Sequence, residues 1–403
     1  MSTIERRNFR GMCINFTPCI VVSPKWELKM SKRLVWAFWR HAFAYGLWSL
    51  ARWMQQSSMV ALMTRMQRNF QRELNCRDSA SVSKTAHLRS RSPSSPTCTT
   101  GKMLGTIGGL GKNSTSVQSF LLNRESPDFV VYLGDVITAN NLPYHDATVH
   151  WREAIGPAVQ MDIPFASVFG NHDDAPFEWD PDSGIPPDAP KQTTSRKELM
   201  EFDTSLPSSF SLAGPNTLWP SVSNYVIPIT SSGGTMTVAI MYFLDSGGGS
   251  MSEVISAHQA AWFTATASEI NPDASIPELV FWHIPRIAYK QAGPGANIPI
   301  EAPCVGSIND EKIAPQETEG GIMNVLLTRK SVKAVLVGHN HGLDWCCPYH
   351  NLQLCCSRHT GYGGYGTWKR GARFVEIMQE PTLRIMTSVI LEDGSVVSEL
   401  QLV

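Results

Sequence analysis

The sequence predicts an α/β sandwich built from two β-sheets. Strand-like and helix-like patterns alternate between about residues 116 and 337, which indicates parallel strands joined by helices. The C-terminal third reads instead as consecutive antiparallel strands. Alternation alone would favour a single doubly wound sheet, and the β-rich tail therefore predicts a second one. Several of the strands also end on Asp, Asn or His, the side chains on which the functional interpretation rests.

Composition places the chain among soluble globular proteins. It has 403 residues, 42% of them hydrophobic and 17% charged, enough for one large domain or two ordinary ones. The formal net charge of −1 argues against a nucleic-acid-binding footprint. The apolar run at 34–50 is interrupted by Arg40 and His41, so it predicts no confident membrane span, and an amphipathic surface helix is the better structural interpretation. No well-formed signal peptide is found, and the chain could be cytoplasmic or secreted.

Residues 1–112 differ from the rest of the chain. Residues 30–72 are basic and rich in Trp and Met, whereas residues 78–100 are rich in Ser, Thr and Arg without a hydrophobic period. Such composition is typical of disordered segments. We therefore predict an atypical segment at 1–112 and a folded domain at 113–403.

Periodicity and turn signals locate the elements of the folded domain. Strands are short runs rich in β-branched and aromatic residues, and helices are longer amphipathic windows. The predicted strands are 129–133, 165–169, 222–229, 235–244, 278–282, 332–337, 351–356, 371–377 and 382–390. The predicted helices are 116–124, 145–160, 195–204, 257–270 and 320–330. The Pro- and Gly-rich loop at 286–319 is long enough to predict a functional lid.

The nine cysteines contain no CxxC pair. Cys346 and Cys347 precede Cys355 and Cys356 by nine positions in a stretch that reads as strand, turn and strand. Disulfides there require an oxidising compartment, and buried thiols are an equal alternative.

Metal-binding side chains follow the ends of predicted strands. The motifs are Gly134-Asp135, Gly170-Asn171-His172-Asp173, His283 and Gly338-His339-Asn340-His341. Alone, Asp135 could be a turn residue and His283 a core histidine. The C-terminal ends of parallel strands meet at one edge, however, and oxygen and imidazole donors suit divalent metals. Together the motifs predict a metal-centred hydrolase.

These motifs resemble those of the calcineurin-like metallophosphoesterases, and they occur in the family's order and spacing. The segments 134–141 and 358–366 resemble its purple-acid-phosphatase-29-like branch in plants and fungi. The resemblance covers roughly residues 113–403. It implies a four-layer αββα sandwich with two mixed sheets, and a phosphorylated substrate.

The resemblance implies two metal ions, of iron, zinc or manganese. It assigns as ligands Asp135, which would bridge the two metals, Asn171, His283 and His339 at one site, and His341 at the other. For catalysis, the resemblance implies that His172 would steady the phosphate and protonate the leaving oxygen, and that Asp173 would orient His172.

Two residues after the last metal-binding motif complete the candidate site. Arg358 and His359 could contact phosphate, and a structural or solvated role is equally compatible with the sequence.

Two departures from the family pattern limit these expectations. Thr138 stands where the purple enzymes have a tyrosine, so no iron-tyrosinate colour is expected. The family also begins with a strand that ends in Asp-x-His and supplies two ligands, and no Asp-x-His precedes Asp135. We therefore expect an incomplete second metal site, a vacant sheet position, and weak or absent phosphoesterase activity. The alternatives are a catalytically silent binding protein on this scaffold or, less favoured, a membrane-tethered protein using residues 34–63.

The missing motif is compatible with another reading frame. If the third base of each codon is joined to the first two of the next, Pro96/Thr97 permits Asp, Thr97/Cys98 permits Leu, and Cys98/Thr99 permits His. The same frame continues as Y-G-E-D-A-W-D-D-W-G, and upstream it permits the apolar strand I-A-I-A-F-F-T. Residues up to about Lys112 are thus interpreted as a frame-shifted or mis-spliced N-terminus.

The transcript tests this hypothesis directly. Sequencing across codons 88–113 should show GAY-YTN-CAY in the shifted frame. Any other codons at that place would eliminate the frame-shift explanation.

Overall fold

Two six-stranded mixed sheets form the centre of the fold in this computed structural model. The structure describes residues 19–23, 102–142, 146–178, 188, 190–231, 236–379 and 381–403. In chain order the elements are β1 (Cys19–Ser23), α1 (Lys102–Glu125), β2 (Phe129–Leu133), α2 (Thr148–Ala154), α3 (Gly156–Gln160), β3 (Phe165–Val168), α4 (Arg196–Ser205), β4 (Tyr225–Thr230), β5 (Thr237–Phe243), α5 (Ala257–Ile270), β6 (Glu278–Trp282), α6 (Ile287–Ala292), α7 (Ile322–Thr328), β7 (Val332–Val337), β8 (Cys346–Tyr349), β9 (Leu352–Cys356), β10 (Gly371–Met378), β11 (Arg384–Leu391) and β12 (Val396–Gln401). Short 3-10 turns lie at Ala139–Asn141 and Asn216–Leu218.

The strand order confirms the predicted two-sheet α/β architecture. The first sheet has the order β12-β11-β10-β1-β2-β3, and the second has the order β4-β5-β6-β7-β9-β8. Strands β2 and β3 are parallel, as are β5, β6, β7 and β9. The strands that lead into the candidate ligands are therefore parallel neighbours within each sheet.

Alternating side chains of β2 show how the layers form. Val131 and Leu133 face the other sheet, whereas Val130 and Tyr132 pack with helical residues on the outer side. This is the two-residue period of a strand buried on both faces. The second sheet packs against α5 and α7 in the same way, through Phe263 and Leu326. Helices thus cover both outer faces, as the αββα expectation requires.

Polar contacts join the two sheets through the inner layer. Tyr225 of β4 donates its hydroxyl to the carbonyl oxygen of Ser167 in β3, at 2.7 Å. Arg373 of β10 is fully buried and donates to the carbonyl oxygen of Cys356 in β9, at 3.0 Å. Because each pair crosses from one sheet to the other, these bonds fix the sheets relative to each other.

Some elements differ from the prediction. The helix expected at 145–160 is split at Ile155, where Gly156 and Pro157 weaken helix continuation. Strand β12 was not predicted, since its exposed edge position leaves little hydrophobic pattern. Helix α1 begins at Lys102, well before the predicted start at 116, and so extends into the segment that the sequence analysis described as atypical.

Strand β1 occupies the sheet position that was expected to be vacant, so that expectation is wrong. Its backbone pairs with β10 in parallel and with β2 in antiparallel fashion. The unpaired backbone groups of two flanking strands need partners, and the β-branched run Cys19–Ser23 supplies them. Cys19 pairs with Tyr132, near the end of β2 that leads to Asp135, so the N-terminal end of β1 lies at the site edge. The five residues of β1 contain no Asp-x-His.

The predicted lid is fastened to the core. Asp344 accepts hydrogen bonds from the amides of Ser307 and Ile308, at 2.7 and 3.0 Å. Arg286 forms an ion pair with Glu319, at 2.7 Å. These bonds hold both the middle and the end of the loop in place. The loop is therefore a fixed part of the structure and not a free lid.

Among the described residues, four cysteines form two disulfides. Cys346 pairs with Cys355 across the β8–β9 hairpin, and Cys304 of the loop pairs with Cys347. Cys356 remains a buried thiol. Both alternatives weighed from the sequence therefore occur.

Among the described residues, no helix is long and apolar enough to cross a membrane. The segment 34–63, considered as a tether, lies outside the described residues.

Loss of an inner-layer aromatic ring should destabilise the whole sandwich. Phe243 is fully buried, with ring centroids 4.6 Å from Tyr225 and 5.2 Å from Phe281. We expect Phe243→Ala to lower the free energy of unfolding by about 3–5 kcal/mol in urea titrations, because it removes apolar contacts and leaves a cavity. The control Val149→Ala, at an exposed helical position, should stay within about 0.5 kcal/mol. Equal effects would contradict the inner-layer assignment.

Candidate metal centre

Four strand ends deliver the candidate ligands to one place. Asp135 follows β2 and Asn171 follows β3 in the first sheet, whereas His283 follows β6 and His339 follows β7 in the second. Because each pair of strands is parallel and adjacent, the four side chains lie at one rim of the sandwich. This convergence was predicted from the sequence.

The four donor atoms are spaced as ligands of one ion would be. His283 Nε2 lies 2.9 Å from Asp135 Oδ2 and 3.1 Å from Asn171 Oδ1. His339 Nδ1 lies 2.9 Å from Asn171 Oδ1 and 3.4 Å from His283 Nε2. With metal–ligand bonds of about 2.1 Å, neighbouring ligands are about 3.0 Å apart in octahedral and about 3.4 Å in tetrahedral coordination. The side chains present therefore fit a single metal ion.

Hydrogen bonds to the backbone select the atom that His283 and Asp135 each offer to a metal. His283 Nδ1 lies 2.6 Å from the carbonyl oxygen of Leu133, to which it donates, so Nε2 is left facing Asp135. Asp135 Oδ1 accepts the amide N–H of His172 at 2.8 Å, which leaves Oδ2 for the metal. The first ligand sphere is thus oriented by backbone groups.

Electrostatics favour the ionised form of Asp135 and the neutral form of His339, whereas they favour the protonated form of His283, which would have to release its proton to bind a metal. Burial would raise the pKa of Asp135, but the neighbouring His283 and His172 hold that pKa well below its usual range. Burial would lower the pKa of His283, yet the Asp135 carboxylate raises it overall. Burial, and then the charge of His283, lowers the pKa of His339 to about 3. A neutral imidazole and an ionised carboxylate are the forms that ligate metals.

Left-handed backbone conformations shape the cluster. Asp135 has φ of 48° and His339 has φ of 69°, conformations that cost free energy and concentrate at functional sites. A Cβ on Gly170 would lie 2.2 Å from Asp135 Oδ1, and one on Gly248 would lie 2.5 Å from Asn171 Cβ. Glycine is therefore required for the close approach of these segments to the ligands.

The orientation of His172 differs from the expectation. Its Nδ1 lies 3.1 Å from Asn140 Oδ1. Asp173 is fully buried and instead accepts the amide N–H of Gly170 at 2.7 Å and that of Ile137 at 3.0 Å. Burial and the nearby Asp135 raise the pKa of Asp173 to about 7. Asp173 thus holds the loop backbone, whereas Asn140 orients the imidazole.

His341 lies beside the cluster but not in it. Its ring is stacked between His359, at 3.9 Å, and Tyr365, at 4.1 Å. Among the described residues, the only group of three acidic, His or Cys side chains with metal-binding spacing is Asp135, His283 and His339. Asp135 and His341 alone supply two ligands, fewer than catalytic metals normally have. The side chains present do not fit a second metal ion.

Arg358 and His359 point to different places. Arg358 is 4% exposed and forms an ion pair with Asp344 at 3.1 Å. His359 is buried against His341, and neither ring nitrogen has a hydrogen-bond partner among the described residues. Of the alternatives that the sequence left open, a structural role agrees with these surroundings, and contact with phosphate stays a prediction.

A buried cation that sequence reasoning missed supports the Asn171 loop. Arg196 donates to Asp174 and Asp245, each at 2.7 Å, and to the carbonyl oxygens of Gly170 and Gly248. The three consecutive glycines at 247–249, which follow Asp245 and Ser246, were a usable signal of close backbone approach. Arg196, at the start of α4, carried no such signal.

Comparisons with known proteins show which sequences and structures this chain resembles. The family model for calcineurin-like phosphoesterases matches residues 107–343. The chain is 28% identical over 294 residues to "Probable inactive purple acid phosphatase 29" of Arabidopsis thaliana, covering 66% of this chain and 68% of that protein. It is 25% identical over 300 residues to "Probable inactive purple acid phosphatase 14" of the same plant, covering 67% and 68%. A dimetal phosphatase structure from Danio rerio aligns with 12% identity and a TM-score of 0.44, covering 72% of this chain and 88% of that one.

A methyl group at Gly170 should damage the ligand cluster. We expect Gly170→Ala to weaken metal binding about tenfold to a hundredfold in competition titrations, because the new Cβ displaces Asp135. The control Gly156→Ala meets no atom closer than 3.8 Å and should leave metal binding unchanged. Unaltered metal affinity in Gly170→Ala would exclude Asp135 as a ligand.

Proposed function

Since the chain belongs to the calcineurin-like phosphoesterase family, we propose that it is a metal-dependent phosphoesterase that hydrolyses phosphate esters. The convergence of Asp135, Asn171, His283 and His339 carries this proposal. The substrate would be a phosphorylated molecule, and the metal would be iron, zinc or manganese, all compatible with oxygen and imidazole donors.

The geometry supports separate roles for the metal ion and for His172. A metal ion held by the four side chains would polarise a phosphoryl oxygen and lower the pKa of water. The backbone amide of His172 donates to Asp135 Oδ1 at 2.8 Å, which supports a role for this residue beside the cluster. With Nδ1 directed at Asn140, His172 would use Nε2 to steady the phosphate and protonate the leaving oxygen.

The family implies a dinuclear centre, and we propose that this chain holds one ion tightly. Among the described residues, Asp135 and His341 remain for a second ion, since β1 brings no Asp-x-His to the rim. The loss of the second ion removes part of the charge that would stabilise a phosphoryl transition state. Activity of this chain is therefore proposed to be weak.

The second candidate function is a catalytically silent binding protein on the same scaffold. The missing ligands favour it, and two of the relatives carry names that mark them as probable inactive phosphatases. It predicts one bound metal, retained phosphate binding and no turnover. Turnover above that of the His172→Ala variant separates the two candidates.

Restoring the missing Asp-x-His motif tests the proposed function. The chain as it stands should bind one metal ion by mass-spectrometric metal analysis and hydrolyse p-nitrophenyl phosphate slowly. A chain whose residues before Asn113 follow the shifted frame should bind two ions and turn over faster, because Asp-x-His completes the second site. In the restored chain, His172→Ala should retain both metals and lose about 10²–10⁴-fold in turnover.

The control for that experiment is Asp135→Asn in the restored chain, which should lose metal and activity together. Two tightly held ions and robust turnover in the unrestored chain would contradict the mononuclear proposal. A restored chain with two ions but no turnover would reject the phosphoesterase proposal itself.

A further inference from the structure

A recess lies against the loop that follows α6. It has a volume of about 560 Å³ and is bounded by the loop segment 297–310 and by Arg358, Trp368 and Lys369. Cavities of this size accommodate small organic ligands. None of the candidate metal ligands lines it.

Arg358 gives the recess a donor without a partner. Its Nε donates to the carbonyl oxygen of Lys369 at 2.8 Å, and its Nη1 donates to Asp344 at 3.1 Å and to Ser307 Oγ at 3.4 Å. Nη2 has no partner among the described residues, although the side chain is only 5% exposed. The buried polar atoms without a partner in the described part of the chain do not include Nη2, so this N–H group is open to solvent and can donate to an acceptor bound in the recess.

The charges around the recess favour an anion as that acceptor. Lys369 pairs with Asp393 at 2.6 Å, but both side chains are well exposed, so Lys369 can turn toward a ligand at little cost. The carboxylate of Asp310, on the same wall, accepts the indole N–H of Trp368 at 2.8 Å. Asp344 is engaged by Arg358 and by the loop amides. Of the charged side chains that line the recess, Arg358 and Lys369 are cationic and Asp310 is anionic, so the lining has a formal net charge of +1.

The remaining wall is apolar and partly flat. Ile298, Pro299 and Ile300 line one side, and the indole of Trp368 lines another. Ile298 is 56% exposed and offers apolar surface to a ligand in the recess. A planar ring would bury this surface while its anionic group reached Arg358.

We propose that this recess binds a small planar aromatic anion, with the ring between Ile298 and Trp368 and the anionic group on Arg358 and Lys369. The site is separate from the metal centre, since Arg358 and His359 turn to opposite sides and only His359 stacks on His341. The proposal does not rest on phosphoesterase activity.

Calorimetric titration of the full chain with 2-naphthoate tests this. Ile298→Glu should weaken binding about tenfold or more, because it places a negative charge at the recess and removes apolar contact. Lys369→Gln should weaken it by a smaller factor. Met236→Glu, which makes the same kind of change at an exposed residue 65% accessible to solvent, should leave it unchanged. The neutral isostere 2-naphthamide should bind about tenfold more weakly than 2-naphthoate.

These variants avoid Arg358, whose loss would leave Asp344 buried without its cation. Failure of 2-naphthoate to bind the unmodified chain would overturn the proposal. Binding that survives Ile298→Glu but is lost in Asp135→Asn would also overturn it, since the carboxylate would then sit at the metal centre. Equal affinity for 2-naphthoate and 2-naphthamide would reject the anionic specificity.

Discussion

The contact between Asp135 and His283 is the constraint on which the rest of the structure depends. It joins the end of β2 in the first sheet to the end of β6 in the second, at 2.9 Å, with both side chains almost wholly buried. A buried carboxylate is tolerated only where opposite charge and hydrogen bonds compensate its lost hydration. His283 provides the former, and the amide of His172 provides one of the latter. The two sheets must therefore keep their relative position for the donor cluster to exist.

Much of the surrounding structure serves that position at some energetic cost. Asp135 and His339 adopt left-handed backbone conformations, and glycines stand where any larger side chain would collide with the ligands. Arg196 compensates two buried carboxylates and two carbonyl groups next to Asn171. Strain and buried charge of this kind persist only where packing over-determines them, which is typical of functional sites.

Completion of the fold and completion of the chemistry are separate matters in this chain. The segment Cys19–Ser23 satisfies the backbone groups of β2 and β10, a need that almost any short β-forming run can meet. Metal binding needs particular side chains at the end of that strand, and backbone pairing cannot supply them. The sheet is therefore continuous while the second metal site, with Asp135 and His341, lacks ligands.

The sequence by itself determined the fold class and the donors, because both are local properties. Strand periodicity reports which side chains are buried. The donors stand one to three residues after the end of a strand: Asp135, Asn171, His283 and His339. What the tertiary structure decided were partners far apart in the chain: Asn140 for His172, Arg196 for Asp174 and Asp245, Cys304 for Cys347, and β1 in the first sheet. Periodicity records whether a side chain is buried, not which distant group it meets. That choice is made only when the two sheets pack and each buried polar atom must find an acceptor or donor.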